Sequence, residues 1–347
     1  MSVFSHALIF LLSAGVIWFL SGILVDAVDT VAKRYNKPGF AVAFFVLGML
    51  TSIGEISVAF NATVQSVPQI SAGNLMGAST VLFLLVIPLL AVLGNGVPQT
   101  RVLVQSNLIL VLVVVLLPAL LAIDGVVTRT DGAVCLLVYG ALVYRLHKRR
   151  PLQQMTADVL ERTQKELLHT RRATAVDIGK IIGGAVFIFL AGNLLVDESV
   201  FFAKWLGIPL SFIGLLLLSI GTNIPELTIA LRCVVSRHKD IAFGDYLGSA
   251  AANTLIFGCM SIGSGTFAFA ASEAVLTSIL LALGVALFFV FARSKGALSR
   301  GEGAILLVLY ACFLLLQSGN AVRLSREHAP EEALHRGAHE ASARAAH

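Results

Sequence analysis

The chain has 347 residues, of which 57% are apolar and only 13% charged, and its mean hydropathy is +0.88. Soluble domains carry about 25% charged residues, so this composition excludes a water-covered globule and indicates an integral membrane protein. The net charge of +5 does not indicate nucleic acid, because the 25 Lys and Arg are spread between apolar stretches and form no single basic patch.

Apolar runs of about 20 residues, enough to cross ~30 Å of hydrocarbon, predict ten membrane spans: 8–27, 39–64, 71–96, 102–122, 131–146, 176–196, 207–234, 243–262, 270–292 and 302–319. The first run lacks a basic leader and is too long for a signal peptide, so it is expected to remain as a helix. The four cysteines lie in or beside apolar segments without CxxC spacing, which gives neither a disulfide framework nor a zinc site. They are expected to be small core residues. The fifth and sixth spans are separated by the only long polar loop, 147–175, which leaves five-span halves at 1–146 and 176–319. The last segment, 320–347, is rich in Ala, Arg, Glu and His and is expected to be a disordered polar tail.

Loops after odd-numbered spans carry 19 Lys and Arg, and the opposite side carries 6. The positive-inside rule then places the central loop in the cytoplasm and both termini outside.

An internal repeat recurs at an offset of 171 residues. Thr51, Ile53, Glu55, Ala59, Val64, Ile70, Gly73 and Gly77 match Thr222, Ile224, Glu226, Ala230, Val235, Ile241, Gly244 and Gly248. Upstream, Asp26 and Lys33 align with Asp197 and Lys204. Each copy holds five spans, an odd number, so the second must enter the membrane from the opposite side. The fold class is therefore an all-α membrane protein of two inverted five-helix repeats, an architecture that suits alternating access around a midplane site.

Glu55 and Glu226 fall deep in the second and seventh spans, at the same repeat position. An ionised carboxylate at the bilayer centre costs at least about 2.5 kcal/mol, and no Lys or Arg lies at an equivalent depth; Arg232 is expected to snorkel toward the cytoplasmic end. A cation or a proton is the remaining partner. Thr51 and Thr222 each precede a glutamate by four residues and so share its helix face, with Ser52 and Asn223 on the adjacent face. Pro225 should open the turn before it and free carbonyls near Thr222, and Gly54 should loosen the first copy less strongly. Ser249 and Asn253, four apart in the eighth span, are placed to face the glutamates, and small residues around them permit close helix approach. Asp245 is a third acid, read either as a proton acceptor or vestibule charge, or as a cap at a helix start.

These residues carry a family resemblance. GTNIPEL at 221–227 with GDYLGSAAANTLIFG at 244–258 resembles the second alpha repeat of the sodium/calcium exchanger (calcium:cation antiporter) superfamily, and LTSIGEI at 50–56 with GNLMGAS at 73–79 resembles a degenerate first repeat. The two motifs occupy 50–82 and 221–258. The resemblance implies that Glu55 and Glu226 are central cation ligands, with Thr51, Ser52, Thr222, Asn223, Ser249 and Asn253 adding oxygens. The chain departs from the pattern at Ala78, Ser79 and Leu82 and at Asn223, Asp245 and Ala250, which removes several neutral oxygens. Ca²⁺ takes six to eight oxygens. Two bidentate glutamates, two carbonyls, Asn253 and water would complete that shell, whereas a flanking Na⁺ site should be weakened.

The implied function is exchange of Ca²⁺ for Na⁺ in a prokaryotic cytoplasmic membrane. The alternative is H⁺-coupled exchange of Ca²⁺ or another divalent cation; a transport-inactive membrane sensor or structural protein is the alternative of a different class. No enzyme is indicated, since no Ser/His/Asp set, HExxH or phosphate loop occurs. No cofactor is expected beyond the transported Ca²⁺, Na⁺ or H⁺. The expected partners are the lipid bilayer and small cations, with no nucleic acid and no obligate protein.

Overall fold

The computed structural model describes residues 2–34, 48–98, 105–147, 171–224, 226–227, 230–231, 239–268, 271–295 and 297–345. In chain order the helices of the first half are α1 (Val3–Arg34), α2 (Gly48–Thr51), α3 (Ile53–Val64), α4 (Pro68–Val81), α5 (Ile87–Leu93), α6 (Gln105–Leu121) and α7 (Arg129–His147). Those of the second half are α8 (Arg171–Leu206), α9 (Leu210–Ile213), α10 (Ser219–Thr222), α11 (Lys239–Ser264), α12 (Ala271–Lys295) and α13 (Arg300–Ala345). A π-helical turn at Leu82–Val86 joins α4 to α5, and another at Gly214–Leu218 joins α9 to α10.

Among the described residues, five stretches are long and apolar enough to cross a membrane unaided: Val3–Leu20, Pro68–Leu93, Val186–Leu206, Ala271–Arg293 and Arg300–Arg323. Shorter apolar helices at Ile53–Val64, Leu108–Leu121 and Leu210–Thr222 fall within the other expected spans. Interrupted helices are tolerated at membrane depth only where protein covers the exposed backbone. Pro68–Leu93 is 83% buried, against 17% for Val3–Leu20. The third span is therefore central, and α1 is peripheral, running alongside α8, its counterpart in the other copy.

Among the described residues, four two-residue strands form two antiparallel ladders. Val97–Pro98 (β1) pairs with Ala297–Leu298 (β4), and Val126–Val127 (β2) pairs with Phe267–Ala268 (β3). Shifting β1 by 171 residues lands on β3 within one residue, and shifting β2 lands on β4. Exchanging the copies thus exchanges the ladders. One ladder follows the third span and the other the fourth, so they sit at opposite ends of the bundle. A two-fold axis that swaps the ends must lie across the bundle, as an inverted repeat requires.

Small residues bring the halves together, which is how helices associate where lipid removes the hydrophobic drive. A Cβ on Gly48 would fall 2.6 Å from the Ser249 nitrogen, and one on Gly77 would fall 2.7 Å from the Ser219 Cβ. Gly48 and Ser219 are repeat equivalents, so the same seam is built twice. A Cβ on Gly132 would likewise fall 2.8 Å from the Gly258 carbonyl oxygen, and one on Gly258 2.9 Å from that of Gly132, so α7 packs closely against α11.

Two expectations change. The last helix continues to Ala345, through the segment read as a disordered tail; a run rich in Ala, Arg and Glu has high helix propensity even though its polarity gives it no core to join. Cys135 is buried, but Cys259 and Cys312 are exposed, because a bundle surrounded by lipid presents an apolar surface and small apolar residues need not point inward. Cys233, Pro225, Arg232 and the loop 148–170 lie outside the described residues.

Candidate functional site

The second span breaks between α2 and α3 at Ser52, with φ −74° and ψ 9°. The seventh breaks after α10 at Asn223, with φ −90° and ψ 10°. Ser52 and Asn223 are repeat equivalents, and their side chains act alike. Ser52 Oγ donates to the Gly48 carbonyl at 2.8 Å, and Asn223 Nδ2 donates to the Ser219 carbonyl at 2.7 Å. Helix then resumes, with Ile56 N donating to Ser52 O at 2.9 Å and Leu227 N to Asn223 O at 3.0 Å. Gly54 was expected to loosen its copy less than Pro225 loosens the other. The first copy nevertheless breaks at the equivalent residue, because a side chain bonded back to its i−4 carbonyl competes with the helix ladder. Gly54 has another use: a Cβ there would meet Ile17 of α1 at 3.0 Å.

Each break places a glutamate in the first turn of the resumed helix, where the unpaired amides and helix dipole favour an anion. Glu55 is 1% exposed, and neither of its carboxylate oxygens has a hydrogen-bond partner. Glu226 is fully buried; Ser249 Oγ donates to its Oε1 at 3.1 Å, and its Oε2 is unpartnered. Asp245 is also fully buried and lies within electrostatic reach of both glutamates. It is the seventh residue of α11 (Lys239–Ser264), too deep to cap that helix.

Two hydrogen bonds tie the copies reciprocally. Thr51 Oγ1 donates to Asp245 Oδ1 at 3.2 Å, and Thr222 Oγ1 lies 3.3 Å from Asn74 Oδ1 as its donor. Asn74 is the repeat equivalent of Asp245, so the two bonds are one contact made twice. Ser52 Oγ also lies 2.9 Å from Ser249 Oγ; each hydroxyl has one proton, so this contact bonds when one of the two serines turns from Gly48 or Glu226. Asn253 Nδ2 donates to Ser79 Oγ at 3.4 Å.

Thr51, Ser52, Glu55, Thr222, Asn223, Glu226, Asp245, Ser249 and Asn253, the residues singled out in sequence, are all buried, and these bonds join most of them across the two breaks. Sequence reasoning passed over Asn74 and over Tyr246, whose hydroxyl donates to the Glu226 carbonyl at 3.2 Å. Applying the 171-residue offset to Asp245 would have found Asn74; no sequence signal marks Tyr246.

Unpartnered buried acceptors set the chemistry. Both oxygens of Glu55, Glu226 Oε2, Asp245 Oδ2, Asn223 Oδ1 and Asn253 Oδ1 lack donors, and each such group costs about 1–3 kcal/mol, more when charged. A set this rich in acceptors suits a cation. Among the described residues no three His, Cys, Asp or Glu side chains converge as a ready-made metal cage, so neutral oxygens must supply much of any shell.

The model of the family described as "Sodium/calcium exchanger protein" matches residues 5–147 and 177–319. The chain belongs to the sodium/calcium exchanger family. Members of this family are membrane transporters that exchange cations, and the ten-span, two-repeat fold is that of an integral membrane exchanger. A membrane protein of Methanocaldococcus jannaschii is 26% identical over 301 residues, covering 87% of this chain and 94% of its own. Sodium/calcium exchanger MaX1 of Methanosarcina acetivorans is 30% identical over 145 residues, 41% of each chain. The solved structure of the sodium-calcium exchanger NCX_Mj, soaked with Na⁺ and Sr²⁺, superposes with a TM-score of 0.63 at 22% identity and covers 90% of this exchanger and 99% of its own chain.

Proposed function

We propose that this exchanger moves Ca²⁺ against Na⁺ at a site centred on Glu55 and Glu226, opened alternately to either side of a cytoplasmic membrane. The observation that carries the reading is the pair of buried glutamates just beyond equivalent helix breaks, with three of their four carboxylate oxygens unpartnered and no basic side chain joined to either among the described residues. Two relatives support the choice of ions: MaX1 is named a sodium/calcium exchanger, and NCX_Mj was solved with Na⁺ and Sr²⁺.

Charge balance produces the coupling. With Asp245 ionised the site holds three negative charges, matched by three Na⁺ or by one Ca²⁺ with one further monovalent cation. It cannot hold both sets, so loading one expels the other. An empty site with three charges is costly to carry through the membrane, which suppresses a crossing without cargo. Thr51, Ser52, Thr222, Asn223, Ser249 and Asn253 provide neutral oxygens, and water completes the coordination. The Lys and Arg distribution supports a cytoplasmic central loop and outward termini.

A second reading, H⁺-coupled Ca²⁺ exchange, is favoured by Asp245, a buried third carboxylate with one unpartnered oxygen. Radiolabelled Ca²⁺ uptake into proteoliposomes separates the two. Uptake driven by an imposed Na⁺ gradient is the expected result. Uptake driven only by a pH gradient would replace the Na⁺-coupled reading, and uptake driven by neither would overturn both.

A further inference from the structure

A second buried acid lies away from the glutamates. Glu273, in the first turn of α12 (Ala271–Lys295), is 2% exposed. Ser211 Oγ of α9 donates to its Oε2, and its Oε1 has no partner. Glu273, Ser211 and Thr277 line a cavity of about 10 Å³ with Gly73, Met76 and Leu215, about the space one water-sized particle occupies. Gln317 of α13 holds the third side of the cluster: its Nε2 donates to Thr277 Oγ1 at 2.7 Å and to the Glu273 carbonyl at 3.4 Å.

The acid and hydroxyls of this cluster lie apart from the central glutamates, although Gly73 in its wall is the neighbour of Asn74. Ser211 precedes Thr222 by eleven residues along the seventh span, about 16 Å at 1.5 Å per residue, and Glu273 follows closely after β3. The pocket therefore sits near the end of the bundle that carries the β2–β3 ladder. The repeat does not demand it either. The positions equivalent to Ser211, Glu273, Thr277 and Gln317 are Phe40, Val102, Ser106 and Leu146, so only the second copy acquired the acid and the amide.

We propose that Glu273, Ser211 and Thr277 form an accessory site for one monovalent cation the size of Na⁺. The charge decides the valence: one carboxylate balances one positive charge, and the other two ligating groups are neutral hydroxyls. The cavity decides the size, since it admits one small particle. Gln317 is a positioning residue: by donating to Thr277 Oγ1 it holds that hydroxyl in place at the cavity wall. The bound ion would hold α9, α12 and the Gly73 segment of α4 together at that end of the bundle.

The test uses full-length protein carrying Glu55→Gln and Glu226→Gln, which removes the central glutamates, so the result does not depend on their role. Thermal unfolding is followed in NaCl and in choline chloride at equal ionic strength. Na⁺ is expected to raise the melting temperature in this background. Adding Thr277→Val should raise the half-saturating Na⁺ concentration about tenfold, the effect of losing one ligand to a charged group, and adding Glu273→Gln should abolish the Na⁺ response. If Glu273→Gln fails to fold, the Thr277→Val shift decides alone. No Na⁺ response in the background, or one that neither substitution moves, overturns the site. Stabilisation by acid in choline without any response to Na⁺ also overturns it, because Glu273 would then carry a proton.

Discussion

At the central site the first copy presents Thr51, Ser52, Glu55 and Asn74, and the second presents Thr222, Asn223, Glu226 and Asp245 at the same four repeat positions. The backbone treats the two sets alike: both helices break at the second residue of the set, and both threonines reach across to the fourth. The chemistry does not follow the backbone. Asn74 leaves an unpaired amide nitrogen, Asp245 leaves an unpaired carboxylate oxygen, and one and two helical turns further the first copy has Ala78 and Leu82 where the second has Ser249 and Asn253. Duplication preserved the geometry that places a buried glutamate just beyond a helix break, while the extra acid and the neutral oxygens stand in the second copy. The proposed cation between the copies should therefore be held more strongly by the second.

The largest expected effect comes from removing either glutamate charge. Glu226→Gln and Glu55→Gln keep the side-chain shape and the first-turn position, so both proteins should fold, yet each should reduce Na⁺-driven Ca²⁺ uptake at least a hundredfold, about 2.7 kcal/mol. Size-exclusion elution confirms folding, and radiolabelled uptake reads the loss. Substantial uptake by either variant would remove the glutamates from the site.

Asp245→Asn is the next step down, and it makes the four-residue sets nearly equal in charge. Thr51 can still donate to the Asn oxygen, as Thr222 does to Asn74, so the fold should be unaffected. Losing one negative charge beside a divalent cation should weaken Ca²⁺ half-saturation about tenfold, a small part of the bare Coulomb energy because neighbouring dipoles compensate. Retained Na⁺-driven uptake in this variant, with only the affinity changed, would favour Na⁺ coupling. Loss of a pH-driven component alone would assign the proton to Asp245.

Much of this comparison is legible in sequence, for identifiable reasons. The spans follow from apolar run length, and the paired glutamates and threonines follow from the repeat, because duplicated positions leave duplicated letters. The inversion follows from an odd span count, and the ladders swapped between ends express it in structure. The helix break in the first copy was legible only as a weaker loosening at Gly54. Pro225 marks the second break in the sequence, but Ser52 breaks its helix through a hydrogen bond to Gly48, and serine in an apolar span carries no comparable signature. Asn74 was hidden because its equivalent is an acid, and a search for identical residues discards such a pair. The Glu273 pocket was hidden because its four polar residues come from three separate spans, with only Glu273 and Thr277 near each other in the chain. The helical tail was misjudged because composition reports solvation better than backbone conformation.

The smallest effect concerns the turn beyond the shared four positions. Leu82 and Asn253 are equivalent and both buried; Asn253 keeps an unpartnered oxygen while Nδ2 donates to Ser79. If that oxygen faces a cation, Asn253→Leu should raise the half-saturating Na⁺ concentration about two- to threefold, the net worth of one neutral ligand. Leu82→Asn, which restores the missing oxygen to the first copy, should lower it by a similar factor at some cost in stability, since an amide replaces a packed apolar side chain. The pair of variants tests the asymmetry itself. Opposite shifts in Na⁺ dependence would show that the first copy lost a ligand the second retained, whereas no shift from either would confine the functional difference between the copies to Asp245.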